Sequence, residues 1–253
     1  MCVFELRGAG RDGERAHMVS APTDVELAAR HKYRLPSGDV AINVTAVSGC
    51  LDLGRSAGMA GAAAKLTKAG LDYRAEWREK ADTGTRVHSV CEQWLRGESA
   101  EVRDSDQSYV DALEKFWEDF EPSLVECEAI ALSHHGYGGR LDLIADLNDG
   151  RRLLIDVKTG KQYPVEHTLQ LAAYRYADGL AEYGEDGMLH LLRPVPKVDG
   201  CACLYVREDG TYSLVEYPSD DSAFAIFLSL LHAVMWARSE DMKWLEKRAK
   251  EPA

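Results

Sequence analysis

GYGGRLDLIADLNDGRRLLIDVKTGKQYPVEHTLQLAAYRY, residues 136–176, is the stretch from which the rest of the chain is read. A Gly-rich turn enters an apolar run, Arg140 to Leu147, with Asp142 in its middle. Asn148-Asp149-Gly150 then reverses the chain, because Asx-Gly is the favoured sequence of a tight hairpin. The returning strand, Leu153 to Val157, closes on Asp156-Val157-Lys158. Side chains alternate faces along a strand, so Asp156 and Lys158 share one side and Ile155 and Val157 the other. By the same rule Asp142 faces away from Leu141 and Leu143. Two carboxylates and an ammonium therefore converge at one end of an apolar hairpin. Buried charge costs several kcal/mol unless it is paired or holds a metal, so an ordinary Asp–Lys pair and a metal site both satisfy the pattern.

Downstream, Pro164 opens a helix on which Gln170 and Tyr174 fall at i and i+4, on one face. The ordered set is G-x-x-D, then D-x-K-T-G, then Q-x-x-x-Y. In order and spacing it resembles the PD-(D/E)XK nuclease superfamily, and within it the RecB-like exonuclease branch of phage recombination and CRISPR-associated nucleases. The likeness runs over about residues 83–178. It implies an α/β, restriction-endonuclease-like αβββαβ core, a mixed central sheet flanked by helices. A helical N-terminal subdomain and a long C-terminal helix would complete it.

Length and composition set the outer bounds. The 253 residues, 45% apolar, suffice for one sizeable core. No apolar run has the length of a bilayer span and the start does not read as a signal peptide, so a cytoplasmic protein without membrane contact is expected, in bacterial cytoplasm or a phage-infected host. A net charge of −12 argues against coating nucleic acid by bulk electrostatics. A nuclease needs only a local basic strip, for which Arg140, Arg151, Arg152, Lys158 and Lys161 are the candidates around the site.

Residues 1–35 are polar and aperiodic and read as a peripheral arm, with residues 36–253 a single domain whose core spans about 83–217. Residues 40–53 read as a strand or short apolar segment. The Ala-rich Arg55–Ala69 reads as a helix able to pack closely on a neighbour. In Arg74–Arg96, Asp82-Thr83-Gly84 is a capping point at which one helix ends and another begins. Beyond it His88, Cys91 and Leu95 share a face. A lone inward histidine is more often core than ligand, but Gly84-Thr85-Arg86-Val87-His88 is similar to the family's G-x-x-x-H element, which implies a metal contact for His88. Ser105–Phe120 is an amphipathic helix and Leu124–Leu132 a strand carrying Glu126 and Glu128. The resemblance implies a site acid here that supports the metal without binding it, and the register favours Glu128 over Glu126. His134 and His135 fall in an exposed turn. Met188–Arg193, Cys201–Arg207 and Thr211–Tyr217 read as strands, with Asp209-Gly210 a hairpin turn, and Ser222–Arg248 as the closing helix.

The resemblance implies phosphodiester hydrolysis with Mg²⁺ or Mn²⁺ held by Asp142, Asp156, His88 and the Val157 carbonyl. Lys158 would orient the attacking water, helped if desolvation lowers its pKa. Gln170 would bond a phosphate or carboxylate, and Tyr174 a base or phosphate. Arg140 and Lys161 would meet the DNA backbone. Some family members hold an iron–sulfur cluster on four cysteines, three near the C-terminus. This chain has only Cys201 and Cys203 there, so no iron–sulfur cluster is expected. The leading expectation is an exonuclease on linear, end-containing DNA in recombination or repair, working with a recombination partner protein. Two others remain: a catalytically weak DNA-binding accessory protein, and a restriction-type endonuclease on the same core.

Overall fold

The computed structural model describes residues 33–35, 38–183, 189–239 and 242. Residues 1–32 of the expected arm, and all of the closing helix beyond 239 except 242, lie outside these. The hairpin forms where Asx-Gly places it. Strands β3 (Tyr137–Asp146) and β4 (Arg152–Lys158) pair antiparallel from Asp146–Arg152 to Leu143–Ile155, and Gly150 takes the left-handed φ of 85° that the turn requires. Arg152 locks the turn end with two bonds to Asp146, 2.7 and 2.8 Å.

Strand β2 (Ser123–Ser133) covers one edge of β3 along its whole length. The other edge is shared. β4 pairs with residues 143–146, and a two-residue strand, β1 (Ile42–Asn43), runs parallel to Tyr137 and Gly138. Between these partners the edge of β3 opens at Asp142. The backbone N–H of Val157, which a continued ladder would have bonded to main chain, instead donates to Asp142 Oδ2 at 2.7 Å. Strict alternation breaks here. Leu141 packs into the core on one face of the sheet and Leu143 into the core on the other, so Asp142 does not face away from both as expected.

The remaining strands are β5 (Gly179–Tyr183), β6 (Leu189–Arg193), β7 (Gly200–Val206) and β8 (Tyr212–Glu216), and the sheet order is β6-β5-β2-β3-β4-β7-β8. Only β1–β3 and β4–β7 are parallel among these pairs, so the sheet is mixed. Helices α1 (Val44–Ser48), α5 (Pro164–Arg175) and α6 (Asp221–Ala237) cover one face through Val44, Leu169, Tyr174, Phe227 and Leu231. Helices α3 (Tyr73–Leu95) and α4 (Gln107–Phe120) cover the other through Val87, Val90, Leu113 and Phe116. The result is an α/β protein with a mixed central sheet between helical layers. No helix among the described residues is long and apolar enough to cross a membrane.

Four expectations change. Asp82-Thr83-Gly84 does not end a helix: α3 runs unbroken for 23 residues, and Thr85 Oγ1 donates back to the Ala81 carbonyl at 3.2 Å. Helix α2 (Arg55–Lys68) buries no residue, so its small side chains serve no close packing. Strand β5, short and directly after a helix, was not expected. Tyr33 is 1% exposed in a core with Ile130 and Leu132, so the described end of the arm belongs to the fold rather than its periphery.

Candidate metal centre

Three elements bring their side chains to the opening beside β3. Gly84 lets α3 pass close to the end of β4, because a Cβ there would stand 3.2 Å from Thr159 Oγ1. One turn later His88 faces the sheet, with Nδ1 at 3.5 Å from Asp142 Oδ2. Across the sheet, the pairs Cys127–Leu143 and Ala129–Leu141 place Glu128 opposite Asp142. Glu128 adopts φ 50°, a left-handed backbone uncommon for glutamate, which stores strain of order 1–3 kcal/mol. Ligand atoms of His88, Glu128 and Asp142 all lie within 4.8 Å of one another. The cavity they line with Cys91, Glu92, Leu95 and Val157 measures ≈ 10 Å³, room for about one water-sized sphere.

The electrostatics of this trio call for a cation or a proton. Burial pushes the Glu128 carboxyl up to about 7, and the facing Asp142 charge adds to that against the pull of His88 and Arg140. Burial likewise raises Asp142, with Asp156 adding, despite His88, Lys158 and the Val157 amide. Two carboxylates and an imidazole at this separation are a donor set able to hold one divalent metal ion. Glu128 also gives the molecule a pH signature. Its folded pKa lies above the ordinary 4.5, so the stability it contributes is present below that value and is lost as pH rises through about 7. In chelator the melting temperature falls between pH 5 and 8, and Mn²⁺ removes the fall by binding the ionised carboxylate. Scanning calorimetry across that range checks this, and a profile unaffected by Mn²⁺ would contradict it.

Asp156 and Lys158 form a second layer behind the trio. Asp156 is 2% exposed, with Lys158 Nζ at 2.5 Å and Gln170 Nε2 donating at 2.9 Å. Its carboxylate is thus already matched, and it is Glu128 that converges with His88 and Asp142. β4 turns the short Asp156 side chain toward Gln170 on α5, whereas the left-handed backbone at Glu128 turns that side chain toward Asp142, so Glu128 joins the trio and Asp156 stands on Lys158. Val157 contributes its N–H to Asp142 and its side chain to the cavity wall. Burial alone would lower Lys158, but the Asp156 and Asp142 charges and the bond to Asp156 outweigh it and hold the ammonium above its usual range. The lowered lysine pKa considered from sequence is therefore not found.

Gln170 meets a carboxylate, one of its two expected uses. Tyr174 is 2% exposed and packs against Gly139, where a Cβ would stand 2.9 Å from its ring, so it offers no face to a base. Arg140 Nη1 lies 3.5 Å from Glu128 Oε2, at the site, and Lys161 is exposed on the loop after β4. Arg151 and Arg152 leave the basic strip. They pair with Asp149, Glu216 and Asp146 at the turn end of β4, roughly 20 Å from Lys158 at about 3.3 Å per residue. Glu126, the rival of Glu128, is held by Arg193 at 2.6 and 2.9 Å. Sequence reading passed over His167, which is buried one turn before Gln170 on the same helix face. Its Nδ1 lies 2.5 Å from the hydroxyl of Tyr205, the register partner of Lys158, and burial depresses it to about 4. The i, i+3 spacing to Gln170 was the available sign.

No family model matches this chain, and no curated protein matches it. A solved structure described as "Crystal structure of SSO0001" is similar at 16% identity and a TM-score of 0.33, spanning 79% of this chain and 77% of that one.

Proposed function

We propose that this protein is a metal-dependent deoxyribonuclease of the PD-(D/E)XK type, an exonuclease acting on ends of linear DNA in phage or bacterial recombination and repair. The observation that carries the reading is the opened edge of β3. Asp142 stands there with His88 and Glu128, and Asp156-x-Lys158 lies on the strand alongside. The element order α4-β2-β3-β4-α5, with β7 parallel to β4 after the intervening β5 and β6, is compatible with an αβββαβ core that carries two inserted strands.

His88, Glu128 and Asp142 would hold the Mg²⁺ or Mn²⁺ ion. Such an ion supplies Lewis acidity to a phosphoryl oxygen and a nucleophilic hydroxide at neutral pH. Lys158 stays protonated on its two carboxylate neighbours and offers its remaining donors to a phosphate oxygen, its side chain 25% exposed. Gln170 fixes Asp156, and Asp156 fixes Lys158, so the ammonium is positioned without a search through rotamers. Arg140 and Lys161 supply further positive charge to the DNA backbone, which a chain of net −12 needs locally.

The test is digestion of end-labelled linear DNA and of closed circular DNA across Mg²⁺ and Mn²⁺ titrations. Linear DNA is degraded from its ends, circular DNA is spared, and EDTA stops the reaction. Internal cuts in the circle would favour a restriction-type endonuclease. Binding without hydrolysis at every metal concentration would leave the accessory protein.

A further inference from the structure

The centre contains one donor that phosphodiester hydrolysis leaves unused. Cys91 follows His88 on α3 at i+3, so the two side chains are neighbours on one helix face, with Cβ atoms about 5–6 Å apart. It is a free thiol, 3% exposed, and it lines the ≈ 10 Å³ cavity together with His88, Glu128 and Asp142. The ligand atoms of those three lie within 4.8 Å of one another without Sγ. A cysteine has a single side-chain torsion, and turning it between the two wells that a helix favours carries Sγ by about 3 Å. Burial, and after it the Asp142 and Glu128 charges, push the thiol up, so it becomes a ligand only for a cation that takes the proton's place.

We infer that Cys91 is a fourth ligand of this centre for Zn²⁺, which displaces the Mg²⁺ or Mn²⁺ of the reaction and stops it. The inhibition rests on the nuclease reading, whereas the coordination rests on the donor set alone. Mg²⁺ and Mn²⁺ are bound through oxygen and imidazole and leave a buried thiol protonated. Three side chains then hold them, and their remaining positions stay open to water and phosphate. Zn²⁺ stands above Mn²⁺ in affinity for a given nitrogen and oxygen set, and a thiolate widens the gap. It takes four ligands as a tetrahedron, and a fourth protein ligand closes the position that a catalytic zinc keeps for water. The Cys91 proton passes to solvent as the Zn–S bond forms. Three anionic ligands leave one negative charge beyond the ion's own, which Lys158 near Asp142 and Arg140 beside Glu128 offset.

The experiment uses the full chain, stripped with chelator, and Co²⁺ as a coloured stand-in for Zn²⁺. Wild-type protein with one equivalent of Co²⁺ shows thiolate-to-metal charge-transfer absorbance that Zn²⁺ abolishes and that Cys91→Ala lacks. In competition with a chromophoric chelator, Cys91→Ala binds Zn²⁺ at least about tenfold more weakly, while its Mn²⁺ affinity, read by electron paramagnetic resonance, shifts by less than about threefold. Cys91→Ser keeps the side-chain volume, is a poor zinc ligand and gives the same pattern, so a packing defect in the alanine variant does not decide the outcome. Zn²⁺ stops the Mn²⁺-supported cleavage of linear DNA by wild type, and Cys91→Ala needs at least about tenfold more Zn²⁺ for the same inhibition. Wild-type protein without the charge-transfer absorbance, or equal Zn²⁺ affinity of wild type and both variants, shows a core cysteine only and overturns the site. The absorbance with cleavage undiminished in Zn²⁺ overturns the inhibition. A wild-type protein that shows the absorbance and is inert on DNA in every metal overturns the nuclease reading and upholds the fourth ligand.

Discussion

Asp142→Asn abolishes hydrolysis, by on the order of a thousandfold or more, while the melting temperature holds or rises. The substitution keeps an oxygen for the Val157 N–H, so the junction between β3 and β4 stays satisfied. It removes one of two carboxylates facing each other across β2 and β3, so the repulsion that raises Glu128 falls. Stability and activity thus move in opposite directions, as they do where an active site stores unfavourable charge. Single-turnover cleavage of labelled linear DNA in Mn²⁺, with calorimetry on the same preparations, measures both. Activity within tenfold of wild type would remove Asp142 from the centre of the site.

The second large effect lies in the layer behind. Lys158→Ala and Asp156→Ala both stop cleavage but differ in stability and DNA binding. Removing Lys158 leaves Asp156 inside the protein, 2% exposed, with Gln170 as its remaining strong partner. Orphaning a buried charge costs about 3 kcal/mol or more, a fall of roughly 6–12 °C in melting temperature for a chain this size. Removing Asp156 orphans Lys158 instead, whose side chain is 25% exposed and can swing its head to water, so the cost is smaller. In EDTA, Asp156→Ala binds DNA as well as wild type or tighter, since a charge that repels phosphate has gone. Lys158→Ala binds more weakly, with a salt dependence smaller by about one phosphate contact. Thermal melts and salt-titrated binding separate the two, and the reverse ranking would show that the pair is structural only.

What could be read in the chain was set by local rules. Asn148-Asp149-Gly150 reverses the backbone by its own preferences, and the apolar runs on either side have nowhere to go but a sheet. His88, Cys91 and Leu95 face inward because helical spacing alone puts them there. The misses share a cause: each depends on where a regular pattern is interrupted by packing from elsewhere. Gly84 looked like a break in α3 but is a point of close approach to Thr159. Glu128 reaches Asp142 through a left-handed backbone that no periodicity announces. Asp156 is buried under α5 and Tyr174 on that helix's inner face, and a helix that covers the strand ends decides which groups stay open. Arg151 and Arg152 sit near the motif in sequence, yet a strand of seven residues carries them to the opposite end of the sheet.

On the proposed reading His88, Glu128 and Asp142 form one ion site, and filling it switches on nucleotide release. Mn²⁺ titration of the wild-type chain and of His88→Ala, with bound ion followed by electron paramagnetic resonance and nucleotide release followed in the same samples, tests it most directly. Cleavage is expected to rise in step with occupancy of one site in wild type, and His88→Ala to shift both curves to at least about tenfold higher Mn²⁺ without unfolding. Cleavage that persists in excess chelator, or identical curves for the two proteins, would contradict it.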